Sequence, residues 1–131
     1  MTWSLRDREL EAVLQLNAAK RYAYLIKKTI DQKRVWGLWR DEKWALGSDN
    51  AGQELIPVWP HEKYAALCVQ GNWAGYQPRA IDITTWIEKW IPGMHRDNRS
   101  VAAFPTPCDK GVIIDPERMA VDMRQELSLY E

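Results

Sequence analysis

Residues 55–69 (Leu55-Ile56-Pro57-Val58-Trp59-Pro60-His61-Glu62-Lys63-Tyr64-Ala65-Ala66-Leu67-Cys68-Val69) change hydrophobic period halfway, which constrains the fold more than any other feature. Up to Trp59 a short apolar run with β-branched residues predicts a buried strand. From Pro60 the period turns helical. Proline suits a first helical turn, and Tyr64, Leu67 and Cys68 fall three and four apart on one face. A strand feeding directly into a helix fixes both layers of an α+β domain at one corner. Pro57 cannot donate to a ladder, so this strand is an edge or its amide faces outward there.

The flanking regions supply further elements. Ser4, three residues before Asp7, predicts a capped first helix, and Asn17 predicts the cap of a second. In the second, Tyr22, Leu25, Ile26, Thr29 and Ile30 follow amphipathic spacing, with Lys20, Arg21, Lys27 and Lys28 placed off the apolar stripe. The two are separate helices or one bent helix. Residues 35–40 read as a strand, Asp41-Glu42 as its turn and residues 43–46 as the returning partner. Gly37 inside that strand signals close backbone approach or a bulge. Residues 48–52 are a loop, residues 71–78 are irregular, and Arg79-Ala80-Ile81 is a short strand. Asp82 then caps a helix whose stripe is Ile83, Trp86, Ile87, Trp90 and Ile91, stopped by Pro92-Gly93. Residues 100–104 and 111–114 are strands. Asp115-Pro116-Glu117 opens a last helix with Met119, Met123, Leu127 and Tyr130 on its apolar face.

The expectation is a single α+β domain over residues 1–131, with 1–16 a helical extension. It has two layers: a mainly antiparallel sheet of about five strands, with amphipathic helices chiefly on one face. At 131 residues the chain is long enough to bury a core. Its 18 basic and 18 acidic side chains cancel, which sets dedicated nucleic-acid binding behind other classes. The N-terminus has no apolar leader pattern and no apolar run reaches membrane-spanning length, so a cytoplasmic protein with no membrane partner is expected.

In chain order, Arg21-Tyr22, Trp36-Gly37-Leu38, Trp59-Pro60-His61 with Tyr64-Ala65, the helix around Trp86, Phe104-Pro105-Thr106-Pro107 and Pro116-Glu117 form a series. In that order and spacing the chain resembles a small uncharacterised bacterial family, a domain of unknown function of about this length. The resemblance runs from about Asn17 to the C-terminus and leaves the preceding segment uncovered; Cys108 stands where a plain polar turn residue is expected. It implies an α+β fold and a bacterial source, and no reaction.

No catalytic or cofactor motif stands out. His61, in a first helical turn, is a candidate general base, against the alternative that it helps the chain turn from strand to helix. Cys108, in a proline-flanked loop, is a candidate nucleophile, against an incidental loop thiol. A metal site from His61, His95, Cys68 and Cys108 is not expected: His61 and Cys68 stand about 10 Å apart along a helix, and no paired ligand spacing occurs. No cofactor is expected. Lys20, Arg21, Lys27, Lys28, Lys33 and Arg34, beside Trp36, offer a weak nucleic-acid face, against a solvated helix side.

Eight tryptophans are the compositional anomaly. Each carries roughly 200 Å² of largely apolar surface, and strand alternation sends Trp36 and Trp39 to opposite faces. Trp44 and Trp73, in a hairpin and a loop, need not be fully buried. The function these residues suggest is non-catalytic interaction. An aromatic surface at Trp36, Trp39, Trp44 and Trp59, with His61 beside it, would meet a protein partner or a second copy, in one version as a toxin-neutralising immunity protein. The alternatives are a small hydrolase or transferase using His61, and a weak nucleic-acid binder through Lys27 to Arg34.

Overall fold

The computed structural model describes residues 4–130, so Trp3 lies outside the described residues. Local signals place most helices. Asn17 accepts the Lys20 amide at 2.9 Å and opens α2 (Ala18–Gln32), separate from α1 (Asp7–Leu14). Ser4 does not cap α1: Arg6 is the cap residue, with extended backbone and no side-chain cap. Asp115 caps α6 (Pro116–Ser128) by accepting the Glu117 and Arg118 amides. Met119 and Met123 of α6 are buried, whereas Leu127 and Tyr130 are exposed because the last turns run past the core.

Asp82 caps the helical stretch after it, as its position predicts, through the Thr84 and Thr85 amides. Pro92 does not stop that stretch. It runs as α4 (Ile83–Thr85), a π-helical turn (Trp86–Trp90) and α5 (Ile91–Arg96). Proline inside an α-helix clashes with the carbonyl four residues back. Here the Ile91 amide bonds the Trp86 carbonyl, five back, and the widened turn makes room for the ring.

Seven short strands form among the described residues: β1 (Arg34–Arg40), β2 (Lys43–Trp44), β3 (Gly47–Ser48), β4 (Glu54–Val58), β5 (Gln77–Asp82), β6 (Ser100–Ala103) and β7 (Val112–Ile114). The architecture is α+β, in sheets ordered β2-β1-β5 and β3-β4-β6-β7. All pairings are antiparallel except β4 with β6. Trp36 and Trp59 exchange backbone hydrogen bonds of 2.9 and 2.8 Å, which join β1 to the end of β4. The β1–β2 turn has positive φ at Asp41 (50°) and Glu42 (64°), the twist-matched hairpin geometry.

The strand containing Pro57 is not an edge. β4 lies between β3 and β6, with all of Leu55 to Val58 buried. Its pairing with β3 stops at Leu55, and the bridge to β1 begins at Trp59. Backbone amides alternate sides along a strand, so Pro57 faces the gap between these partners, where no ladder donor is lost. Gly37 marks a close approach without a bulge: the register from Arg34↔Asp82 to Trp39↔Gln77 is unbroken. A Cβ there would stand 3.1 Å from Cε3 and Cζ3 of Trp44, whose ring lies across the strand.

Arg21 is buried, with 3% of its surface exposed, and does not belong to a solvated basic face. It stands four residues before Leu25 and eight before Thr29, on the stripe that turns inward. Its guanidinium donates to the Leu16 carbonyl (2.6 Å) and the Phe104 carbonyl (3.4 Å), and its Nη2 lies 3.2 Å from Asp109 Oδ1. The Arg21-Tyr22 and Phe104-Pro105-Thr106-Pro107 motifs, 83 residues apart, thus meet, and α2 clamps the 104–111 loop at both ends. Within that loop Phe104 has a φ of 57°, and the Gly111 amide and Arg21 together hold the Asp109 carboxyl below the usual carboxylate range.

Candidate functional site

The gap beside Pro57 opens into a cleft of about 520 Å³. Leu55 and Pro57 line it from β4 and Ala102 from β6; these residues share one face of the sheet because Pro57 and Ala102 are register partners. Pro105 continues the apolar lining, and Leu46 and Gly47 close one side. Next to them stands Trp73, in the 3₁₀ turn Gly71–Trp73. Its indole is pinned two ways. Nε1 donates to the Leu46 carbonyl at 3.0 Å, and the ring meets Trp59 edge-on at 6.0 Å. A wall fixed by a hydrogen bond and ring packing is set before any ligand arrives.

Four polar side chains also line the cleft: Ser48, Glu54, Asn72 and Lys110. Glu54 is paired with Arg99 at 3.4 Å. Lys110 touches the neutral Asn50 Oδ1 at 3.3 Å and, among the described residues, has no carboxylate partner. An apolar hollow with a few polar groups is the usual form of a small-ligand seat.

Trp36, Trp39, Trp44 and Trp59, the binding surface expected from sequence, do not line this cleft. Trp59 is wholly buried, not part of a surface: its Nε1 donates to the Pro105 carbonyl at 2.8 Å, filling the junction of the two sheets. Trp36, Trp39 and Trp44 are half-buried. Trp39 and Trp44 stack edge to face at 5.0 Å, Trp44 and Trp90 do the same, and Trp90 leans on buried Trp86 at 5.6 Å. The exposed Arg79 lies 4.3 Å above the Trp39 ring and caps this row.

His61 is the N-cap of α3 (Glu62–Leu67), one residue before the first turn, and its Nδ1 accepts the Lys63 amide at 3.1 Å. Only 9% of it is exposed. Cys108 is exposed in the 104–111 loop, its amide donating to Thr106 Oγ1. Neither residue lines the cleft. Cys68 is buried, its thiol donating toward the Pro105 carbonyl, and burial pushes the thiol up to about 11. Among the described residues no group of three or more His, Cys, Asp or Glu is placed to hold a metal ion, and no helix is long and apolar enough to cross a membrane.

Sequence reasoning missed Leu46, Ser48, Asn72, Ala102 and Lys110 as lining residues. The one local trace was Pro57, whose missing donor marked a break in the ladder without saying what faces the break.

A family model described as a protein of unknown function, DUF2750, matches residues 22–123. The chain belongs to DUF2750. No curated protein and no solved structure matches it. The DUF2750 match starts in α2 at Tyr22 and ends in α6 at Met123, two segments joined by the Tyr22 hydroxyl donating to Asp122. It takes in all seven strands and every cleft residue, and leaves α1 outside.

Proposed function

We propose that this DUF2750 chain is a non-catalytic binding domain whose ligand sits in the Trp73 cleft. One observation carries this reading: the apolar hollow at the Pro57 gap has an indole wall held in place by the protein's own hydrogen bond and ring contacts. Its volume suits a small molecule, and burial of an apolar body against Leu55, Pro57, Ala102 and Trp73 supplies the affinity. Recognition needs no general base, and His61 Nδ1 is committed to capping α3.

The test uses N-phenyl-1-naphthylamine, an uncharged fluorescent probe of apolar sites. The native chain is expected to bind it with blue-shifted emission. Ala102→Phe, which fills the cleft from β6, is expected to lose that binding while its far-ultraviolet circular dichroism stays native. The exposed apolar end of α6 (Leu127, Leu129) is unchanged in this variant and controls for binding elsewhere. No binding by the native chain, or equal binding by a folded Ala102→Phe chain, refutes the proposal.

A second reading is a protein contact over Trp39 and Trp44, favoured by their half-exposed rings beneath Arg79. It ranks below the cleft because Arg79 already covers the ring face a partner would use.

A further inference from the structure

We infer that the ligand of this cleft is a small carboxylic acid with a flat apolar body. The inference rests on the cleft being the binding seat, and goes further by assigning the ligand's charge and shape.

The charge follows from matching each ion around the site. Glu54, the one acid lining the cleft, is neutralised by Arg99 at 3.4 Å. On the adjoining loops Asp109 takes the Gly111 amide and Arg21, and Asp49, which accepts the Ala51 and Gln53 amides, keeps its charge but forms no ion pair with Lys110. Lys110 lines the cleft beside these groups with only the neutral Asn50 amide oxygen as partner. Of the two charged side chains that line the cleft, Lys110 is thus the one without an ion partner among the described residues, and it stands over an apolar floor. A cation so placed rewards an anion and penalises a second cation. The side chains of Ser48 and Asn72 make no hydrogen bond to protein among the described residues, and both present donors from the same lining. One point charge and two neutral donors suit a single carboxylate, which needs no bidentate fork.

The shape follows from the walls. Leu55, Pro57 and Ala102 lie on one face of the sheet, and the pinned indole of Trp73 stands beside them, bonded to the Leu46 carbonyl. A planar ring system meets both an aliphatic floor and an aromatic wall within such a space, because an indole edge or face packs well on another ring.

The experiment compares 2-naphthoic acid with 2-naphthamide, which share the ring and differ in charge. Binding is followed by the Trp73 indole N–H resonance of the full chain. The acid is expected to bind about tenfold or more tighter, the worth of one charge-assisted hydrogen bond. Lys110→Gln is expected to remove that preference, and Lys110→Arg to retain most of it. Lys110 is exposed, so neither variant threatens the fold. Equal affinity for acid and amide, or a preference that survives Lys110→Gln, overturns the inference and leaves the cleft as binding seat. If neither compound moves the Trp73 resonance, the binding seat itself falls. A tripeptide acid ending in tryptophan that binds more tightly than the naphthoic acid overturns the small-molecule assignment in favour of a polypeptide C-terminus.

Discussion

Replacing Arg21 by methionine tests the central packing argument. Methionine keeps the unbranched apolar stem and deletes the guanidinium. Two gains oppose the loss: the charge no longer has to be desolvated, and its ion pair is worth little because 43% of the Asp109 side chain is exposed. The cost comes from the acceptors. The Leu16 carbonyl loses a 2.6 Å bond and the buried Phe104 carbonyl a longer one of 3.4 Å, with no replacement donor in reach of methionine. Counting the first as a full charge-assisted bond and the second as a weak one gives a net loss of about 2–3 kcal/mol. At this chain length that lowers Tm by about 10 °C. Urea and thermal denaturation, followed by circular dichroism, measure it. A folded Arg21→Met chain as stable as the parent would show that guanidinium desolvation matches the two carbonyl bonds, and the clamp argument fails. The acid side offers a check. Asp109 is held below the usual carboxylate range, so its contribution is present at neutral pH and lost as pH falls through that lowered value. Arg21→Met should weaken this acid-limb loss, because one of the groups stabilising the carboxylate is gone.

Gly111→Ala is expected to cost at least about 2 kcal/mol, since its φ of +79° is strained for alanine and the new Cβ would stand 2.3 Å from the Ala103 carbonyl oxygen. A denaturation midpoint within error of the parent refutes this. Gly37→Leu should drive Trp44 out from between Trp39 and Trp90, at a cost of about 1–3 kcal/mol for overpacking, with loss of near-ultraviolet signal from the stacked indoles. An unchanged near-ultraviolet spectrum would show that the ring has other room. Ellman's reagent should label Cys108 alone in the native chain and Cys68 only on unfolding. Burial raises the Cys68 thiol from 9.0 to about 11 and the Tyr64 phenol from 10.0 to about 12. Both are protonated longer in the folded state, so stability should fall as pH rises through 9 to 12, and a flat alkaline limb would contradict their burial.

Belonging to an α+β family was legible because it rests on local chemistry. Asn17, Asp82 and Asp115 cap their own next residues, and the 35–46 hairpin follows from alternation around a two-residue turn. The end of the helix at Pro92 was misjudged because a π-helical turn depends on how Trp86 and Trp90 pack, not on the proline alone. Arg21 was misplaced by its charge: its spacing from Leu25 and Thr29 put it on the buried stripe, but only the Leu16 and Phe104 carbonyls and Asp109 explain why burial is tolerated.

The sequence by itself determined where the chain turns helical or extended, because capping, period and proline act within a few residues. Tertiary structure decided the β4–β6 parallel pairing, the burial of Trp59 and the joining of Pro57, Trp73, Ala102 and Lys110 around one cleft. Those depend on strands and loops distant in sequence meeting, and no local period encodes which partner leaves Pro57 facing a gap.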